Sequence, residues 1–333
     1  MTTVREIRLK SRPRGLPTRD NFEFASVDLP APAAGEVQVK NLWMTVDPYM
    51  RGRMNDGPSY IGGFQLDKPL DGGAIGEVTV SNDPKLKAGD LVQSNFGWRE
   101  GFNAPAAGLT KLDTMGLPPQ TFLGAAGMPG LTAYAGLLKI AALKDGDVVF
   151  VSGAAGAVGQ IVVQIAKAKG HTVIGSAGGP EKIKFLKEIG CDQTIDYKAE
   201  KDLTAALAKA APGGIDVYFD NVAGEHLVAA LNVAKPFARF ALCGGISMYN
   251  ATELPPGPPN LMLMIGKQIR MEGFIVSSSW DMMPAFLRDL SQWVKEGKMT
   301  WKETVFEGLD KAPDAFIGLF SGANLGKMLV KLG

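Results

Sequence analysis

Residues 147–170 read DVVFVSGAAGAVGQIVVQIAKAKG. The opening run, DVVFVSG, has the continuous apolar character of a strand buried on both faces, and AVGQIVVQIAKAKG, from Ala157, reads as a helix closed by Gly170. Between them GAAGAVG fills the strand-to-helix turn. Aligned to G-x-G-x-x-G, the first glycine is replaced by Ala154, while Gly156 and Gly159 keep their places. Gly156 lets backbone approach a pyrophosphate, and Gly159 lets helix and strand pack closely. Amides of Ala155, Gly156, Ala157, Val158 and Gly159 lie at the helix N-terminus, which favours an anion. The context, a strand before and a helix after, turns a weak glycine pattern into a dinucleotide-binding expectation.

The next strand sharpens that expectation. Residues 171–182, HTVIGSAGGPEK, begin as strand and end without a carboxylate until Glu181. In this fold an acid roughly 20 residues past the glycine turn accepts hydrogen bonds from the adenosine ribose and repels a 2′-phosphate. Here Ser176, Ala177, Gly178 and Gly179 are small and uncharged, leaving room for a phosphate met by hydroxyl or amide donors. Lys182 follows one turn into the next helix as its counter-charge. The pattern predicts NADP.

Strands and helices alternate onward: EKIKFLKEIG as helix, DQTIDY as strand, DLTAALAKA as helix and GIDVYFDN as strand. GEHLVAALNVA, FARFALCGG and IRMEGFIVS continue the series, and residues 281–296 form a long amphipathic helix. Such alternation implies a parallel sheet with helices on both faces. From Val4 to about Leu117 the chain instead reads as short strands between turn signals, including FEFASVDLP, GEVQVKNLWMTVD, GGAIGEVTVS and GDLVQS. Between Thr121 and Ala142, Pro129 and glycines interrupt a helical pattern, predicting two short helices joined by a turn. The tail from Met299 mixes strand and helix and is expected to return to the first domain. LPPGPP, 254–259, reads as a stiff loop.

Composition limits the function classes. A chain of 333 residues exceeds what one core usually supports, so two domains are expected. Thirty-five basic and 34 acidic side chains give a formal charge of +1, too balanced for a nucleic-acid or anionic-membrane binder. Without a signal-peptide pattern or an apolar run of about 18 residues, the expected location is the cytoplasm and the expected partner a small molecule. Cys191 and Cys243 are the two cysteines, which excludes a disulfide framework; both read first as buried small hydrophobes. The two histidines, His171 and His226, leave the first 170 residues without an imidazole or thiol ligand, so no catalytic zinc is expected there.

Several strings carry a closer resemblance: DPYMRGRM (47–54), SYIGGFQLDKPLDGGAIGEV, FDNVAG (219–224), CGGISMYN (243–250), LPPGPPN, EGFIV and GANLGK (322–327). With AAGAVG and the returning tail, they resemble the zinc-independent medium-chain dehydrogenase/reductases of the leukotriene B4 12-hydroxydehydrogenase or prostaglandin reductase branch. Plant 2-alkenal double-bond reductases and bacterial curcumin reductase belong to it. The resemblance, from about residue 4 to the end, implies an α/β fold. Its parts are a GroES-like β-rich catalytic domain (1–122 and 294–333) and a doubly wound Rossmann NADP-binding domain (123–293).

It also implies reduction of a carbon–carbon double bond conjugated to a carbonyl, with NADPH as hydride donor, in a homodimer. Without a metal, the enolate needs another stabiliser, and a phenol in a dry pocket can donate to its oxygen. The resemblance gives that role to Tyr249, beside the nicotinamide ribose hydroxyl, and sets Tyr49 and Tyr60 along the cleft wall. Tyr197 then lies on the adenine side, Asn221 and Asn324 hydrogen-bond the cofactor near nicotinamide, and Cys243 joins the cofactor set. Tyr49 also reads as an aromatic turn anchor behind Pro48, Lys182 as a solvated helix lysine and Asn324 as part of an Asn-bearing turn. Relatives often carry Arg, Lys or Thr near Ser176–Gly179, so Lys182 is left to recognise the phosphate almost alone. An NADPH quinone reductase is the alternative within the class; a non-catalytic NADPH-binding protein is the alternative outside it.

Overall fold

A computed structural model describes residues 2–57, 59–253 and 255–333 as two compact units. One comprises the residues up to Leu123 with Thr304–Asn324 and Met328–Gly333; the other comprises Gly124–Glu303 with Leu325–Lys327.

The second unit is a six-stranded parallel sheet. Across it lie Gln193–Asp196, Thr172–Ala177, Val148–Val151, Ile215–Asp220, Ala234–Leu242 and Arg270–Gly273. Strand order therefore runs outward in one direction from Val148–Val151 and then reverses at Ile215–Asp220, the doubly wound arrangement whose ligands bind beyond the strands' carboxyl ends. Phe150, Ile174, Ile195, Ile215, Tyr218 and Phe240 lie under helices Leu203–Ala210 and Glu225–Val233 and are at most 3% exposed. Asp202 caps the first of these helices by accepting the Ala205 amide at 3.0 Å. The strand expected from Phe237 begins three residues earlier; Phe237 itself has φ +64°, and the pairing with Ile215–Asp220 slips there.

Residues 121–142 differ from expectation. A single helix, Met128–Ala135, runs directly into a wider π turn, Gly136–Ile140, after a 3₁₀ turn at Pro119–Leu123. Pro129 opens the helix, where its missing N–H costs nothing, and so does not interrupt it. Glycine is needed at 136 because a Cβ there would meet the rings of Phe219 and Phe274 at 2.5 Å. Of LPPGPP, Leu254 lies outside the described residues, and Pro255–Pro258 form neither helix nor strand.

In the first unit Thr2–Leu9 pairs antiparallel with Phe22–Leu29. A larger sheet orders Glu303–Glu307, Lys327–Lys331, Glu36–Thr45, Ala74–Ser81, Leu91–Ser94 and Thr110–Lys111, with Gly101–Pro105 also on Glu36–Thr45. Phe22 stacks on Trp98 at 5.7 Å, and Phe316, from the tail helix Ala312–Ser321, meets both rings edge-on. The tail thus completes the first unit's core.

The boundary expected at 294 falls after Glu303 instead. Gln160 and Gln164, one turn apart on helix Gly159–Ala168, hold the intervening chain: Gln164 exchanges two hydrogen bonds with Thr300 backbone (2.7 and 2.8 Å), Gln160 two with Lys302 (2.9 and 3.2 Å).

Candidate functional site

The turn after Val148–Val151 carries the phosphate-binding geometry. Gly153, at φ +58°, makes the tight turn that the usual first glycine would make, which frees position 154 for a fully buried alanine. A Cβ on Gly159 would stand 2.7 Å from Ala154 Cα, so only glycine lets the helix start against this strand. Gly156 bridges Gly326 in parallel, and Gly326 donates its amide to Ala155 O at 2.8 Å. Leu325–Lys327, the residues immediately after Asn324, therefore run beside the turn. The helix begins at Gly159, with Val158 as its N-cap and Ala157 just before it, at the end where backbone amides lack intrahelical acceptors.

At the end of Thr172–Ala177 the side chains differ from the sequence reading. Ser176 is fully buried, and its Oγ lies 2.9 Å from His226 Nε2 beneath the surface. Its hydroxyl therefore faces the interior rather than the open strand end. His226, which sequence reading left unassigned, also packs edge-on to Tyr197 at 5.2 Å, and burial lowers its pKa to about 4. Tyr197 is 40% exposed, with a ring free to take a planar neighbour. Gly178 sits under Tyr197 and Lys198; a Cβ would come within 3.0 Å of Tyr197 Cζ and 2.8 Å of Lys198 Cε. Lys182 is half-buried, and its ammonium pKa is lowered first by desolvation and then by the charge of Lys198, with Glu181 opposing. Lys198 escaped the sequence reading although it directly follows Tyr197.

The ends of Ile215–Asp220 and Ala234–Leu242 form one loop system. Asp220 is 1% exposed, and its Oδ1 accepts from Tyr218 OH (2.7 Å), Ser152 Oγ (3.0 Å) and the amides of Val222 (2.9 Å) and Ala223 (2.8 Å). Ala223 has φ +63°, an uncommon conformation for alanine that these bonds help to hold. Burial raises the Asp220 pKa, and the four donors oppose the rise. Asn221 is fixed through its amide on Ser152 Oγ (3.0 Å) and its Nδ2 on Ser152 O (2.8 Å). Cys243 donates its amide to Asp220 O at 2.9 Å; burial, with the Asp220 charge, pushes its thiol up to about 12.

Tyr249 follows the 3₁₀ turn Ile246–Met248 and folds back so that its hydroxyl accepts the Gly245 amide at 3.2 Å. Gly244 makes room for it, since a Cβ there would meet the phenol oxygen at 3.0 Å. Burial raises this pKa, the hydrogen bond from the Gly245 amide opposes the rise, and the nearby Cys243 and Asp220 add to it. The group is a protonated phenol at neutral pH whose oxygen already accepts one bond, leaving its proton for a further acceptor.

In the first unit Tyr49 precedes the short helix Met50–Arg53 and packs half-buried against the core, with burial raising its pKa. Tyr60 is 65% exposed. Between them the DPYMRGRM arginines brace the chain. Arg51 donates to the carbonyls of Pro13 and Gly15. Arg53 donates to Gly62 O at 2.7 Å, pairs with Asp71 and lies over Phe64, so it secures the far end of the Tyr60 loop.

Among the described residues, no group of three or more His, Cys, Asp or Glu side chains could hold a metal ion. The fold and the acid-free strand end define a dinucleotide-binding chain. Residues 5–112 match the family described as N-terminal domain of oxidoreductase, and residues 157–292 that described as zinc-binding dehydrogenase. The chain is 41% identical over 330 residues to the NADPH-dependent curcumin reductase of Escherichia coli K12, covering 97% of this chain and 95% of the relative. It is 42% identical over 333 residues to the NADP(+)-dependent 2-alkenal reductase of Nicotiana tabacum, covering 98% and 96%. The crystal structure of CurA in complex with NADPH from Vibrio vulnificus superposes with a TM-score of 0.94 at 43% identity, over 99% of each chain. The chain belongs to the medium-chain dehydrogenase/reductases, in the branch of the prostaglandin, curcumin and 2-alkenal reductases.

Proposed function

We propose that the chain reduces the carbon–carbon double bond of α,β-unsaturated aldehydes and ketones with NADPH, without a metal. The observation that carries this reading is its identity of 41% and 42%, over nearly the whole chain, to the curcumin and 2-alkenal reductases. The chain's own residues fit the cofactor. The turn at 153–159 presents backbone amides and little side chain, while Lys182 and Tyr197 offer charge and a ring at the other end, beside Gly178.

NADPH, when bound, would supply the hydride for the β-carbon. Tyr249 donates its hydroxyl hydrogen bond to the carbonyl oxygen as negative charge develops there, and a high phenol pKa keeps that proton in place at neutral pH. Gly245 holds the phenol oxygen, so the donor does not have to be oriented during the reaction. Asn221 and Cys243, fixed on Ser152 and Asp220, form the supporting loop ends, and Asn324 belongs to the same cofactor set. Tyr49 and Tyr60 take their substrate role from the family resemblance alone. Solvent protonation of the α-carbon gives the saturated carbonyl.

A homodimer fits an exposed edge. Arg270–Gly273 ends the parallel sheet, and Met262 (73% exposed), Ile265 (70%) and Phe237 (62%) are apolar side chains on the same unit's surface. No helix among the described residues is long and apolar enough to cross a membrane; a cytoplasmic location is our reading. The test is NADPH oxidation by the purified protein against a panel of 2-alkenals, enones, curcumin and a benzoquinone, with the saturated product identified by mass. No turnover with any conjugated alkene would refute the proposal, and turnover of the quinone alone would replace it with quinone reduction.

A further inference from the structure

Strands Thr172–Ala177 and Gln193–Asp196 pair in parallel with Ala177 opposite Asp196, so residues 178–179 and 197–198 leave the sheet side by side. Asp196 fastens both exits: its Oδ1 accepts the amide of Gly179 at 2.9 Å and that of Lys198 at 3.1 Å. That oxygen is thus engaged by backbone at the start of helix Pro180–Glu188, and the same two bonds set the direction in which Lys198 leaves the strand. The Lys198 stem then crosses over Gly178, where an added Cβ would come within 2.8 Å of Cε and 3.0 Å of Cδ. Any larger residue at 178 would displace it. Lys182 lies on helix Pro180–Glu188 at the same strand end, near enough for the Lys198 charge to lower its ammonium pKa, second to desolvation and opposed by Glu181. An anion at this strand end gains from each positive charge placed there.

We propose that Lys198 is the second cation for the 2′-phosphate of NADPH, so that cofactor specificity rests on Lys182 and Lys198 together and on the missing side chain at Gly178. The inference rests on the NADPH reading above. A phosphate monoester carries a charge of about −1.5 to −2 at neutral pH, which one lysine leaves partly uncompensated and two lysines match. Asp196 acts as a positioning residue that holds the two exits in register.

The experiment measures NADPH and NADH dissociation constants by calorimetry or fluorescence titration for the wild-type chain and for Lys198→Met, Lys198→Arg, Lys182→Met, the double Lys182→Met/Lys198→Met, and Gly178→Val. Lys198→Met is expected to cut the NADPH-over-NADH preference about tenfold, in line with a lost charge-assisted contact. Lys198→Arg should keep most of the preference, the double variant should abolish it, and Gly178→Val should lower it by moving the lysine stem. A preference in Lys198→Met within about twofold of wild type, against a tenfold step of about 1.4 kcal/mol, overturns the assignment of Lys198 alone. Equal affinities of the wild-type chain for NADPH and NADH would overturn the NADPH reading and this inference together.

Discussion

In the proposed reaction Tyr249 acts by keeping its proton. Burial raises its pKa, and the Gly245 amide occupies the oxygen from one side, so the hydroxyl is a fixed donor rather than an acid that dissociates. Tyr249→Phe is accordingly expected to lower kcat about tenfold to a hundredfold, with NADPH affinity nearly unchanged, as loss of one donor to a developing oxyanion does. Stopped-flow rates of hydride transfer check this, and an unchanged rate removes Tyr249 from the chemistry. His226 is a residue whose effect falls on stability. Its folded pKa of about 4 lies below the ordinary imidazole value of 6.5, so the unfolded chain binds the extra proton first as pH falls. Its contribution is complete above pH 6.5 and is lost progressively as pH falls from there towards about 4, to a total of about 3 kcal/mol. Urea unfolding at pH 7.5 and pH 5 should therefore show wild type losing more stability on acidification than His226→Gln; equal losses would place the acid sensitivity elsewhere. Nothing in the local pattern HTVIGS reveals this partnership, because Ser176 and His226 are 50 residues apart and meet only when strand and helix pack.

The strand–turn–helix element at 148–168 was legible because strands buried on both faces leave continuous apolar runs, and because the turn's glycines are spaced by backbone geometry. Even the substitution at 154 has a structural answer, since Gly153 makes the turn one residue earlier. Gly159→Ala would place a methyl against the backbone of 153 and 154, which has nowhere to move, and is expected to cost about 1–3 kcal/mol while weakening NADPH binding. Thermal unfolding with and without cofactor measures both effects. The boundary at 303 was not legible. Gln160 and Gln164 look like residues of a solvated helix face, yet both are almost wholly buried, at 1% and 3% exposed, holding backbone 136 to 142 residues away. Gln164→Ala strands the Thr300 amide and carbonyl and should destabilise by about 1–3 kcal/mol, with faster amide exchange concentrated at 300–302. Uniform exchange across the second unit would mean the pair holds nothing in particular. Lys198 was hidden for a related reason: a lysine in a polar loop reads as solvated until the parallel register sets it above Gly178.

For the molecule as a whole, the balanced charge and the doubly wound fold both suit a small-molecule ligand. A net charge of +1 offers no field for a polyanion, while positive charge gathers locally where Lys182 and Lys198 meet. The exposed edge Arg270–Gly273 and the apolar Met262 and Ile265 predict a dimer in sedimentation at micromolar protein, and Ile265→Asp should shift it towards monomer. A wild-type monomer at those concentrations would contradict the dimer. In the proposed function NADPH and an activated double bond meet on this chain. The most direct measurement of this is the product of a single turnover with deuteride-labelled NADPH and an enone. A saturated ketone carrying the label on the β-carbon is expected, whereas an allylic alcohol with the label on the carbonyl carbon, or no labelled product, would contradict enone reduction by this chain.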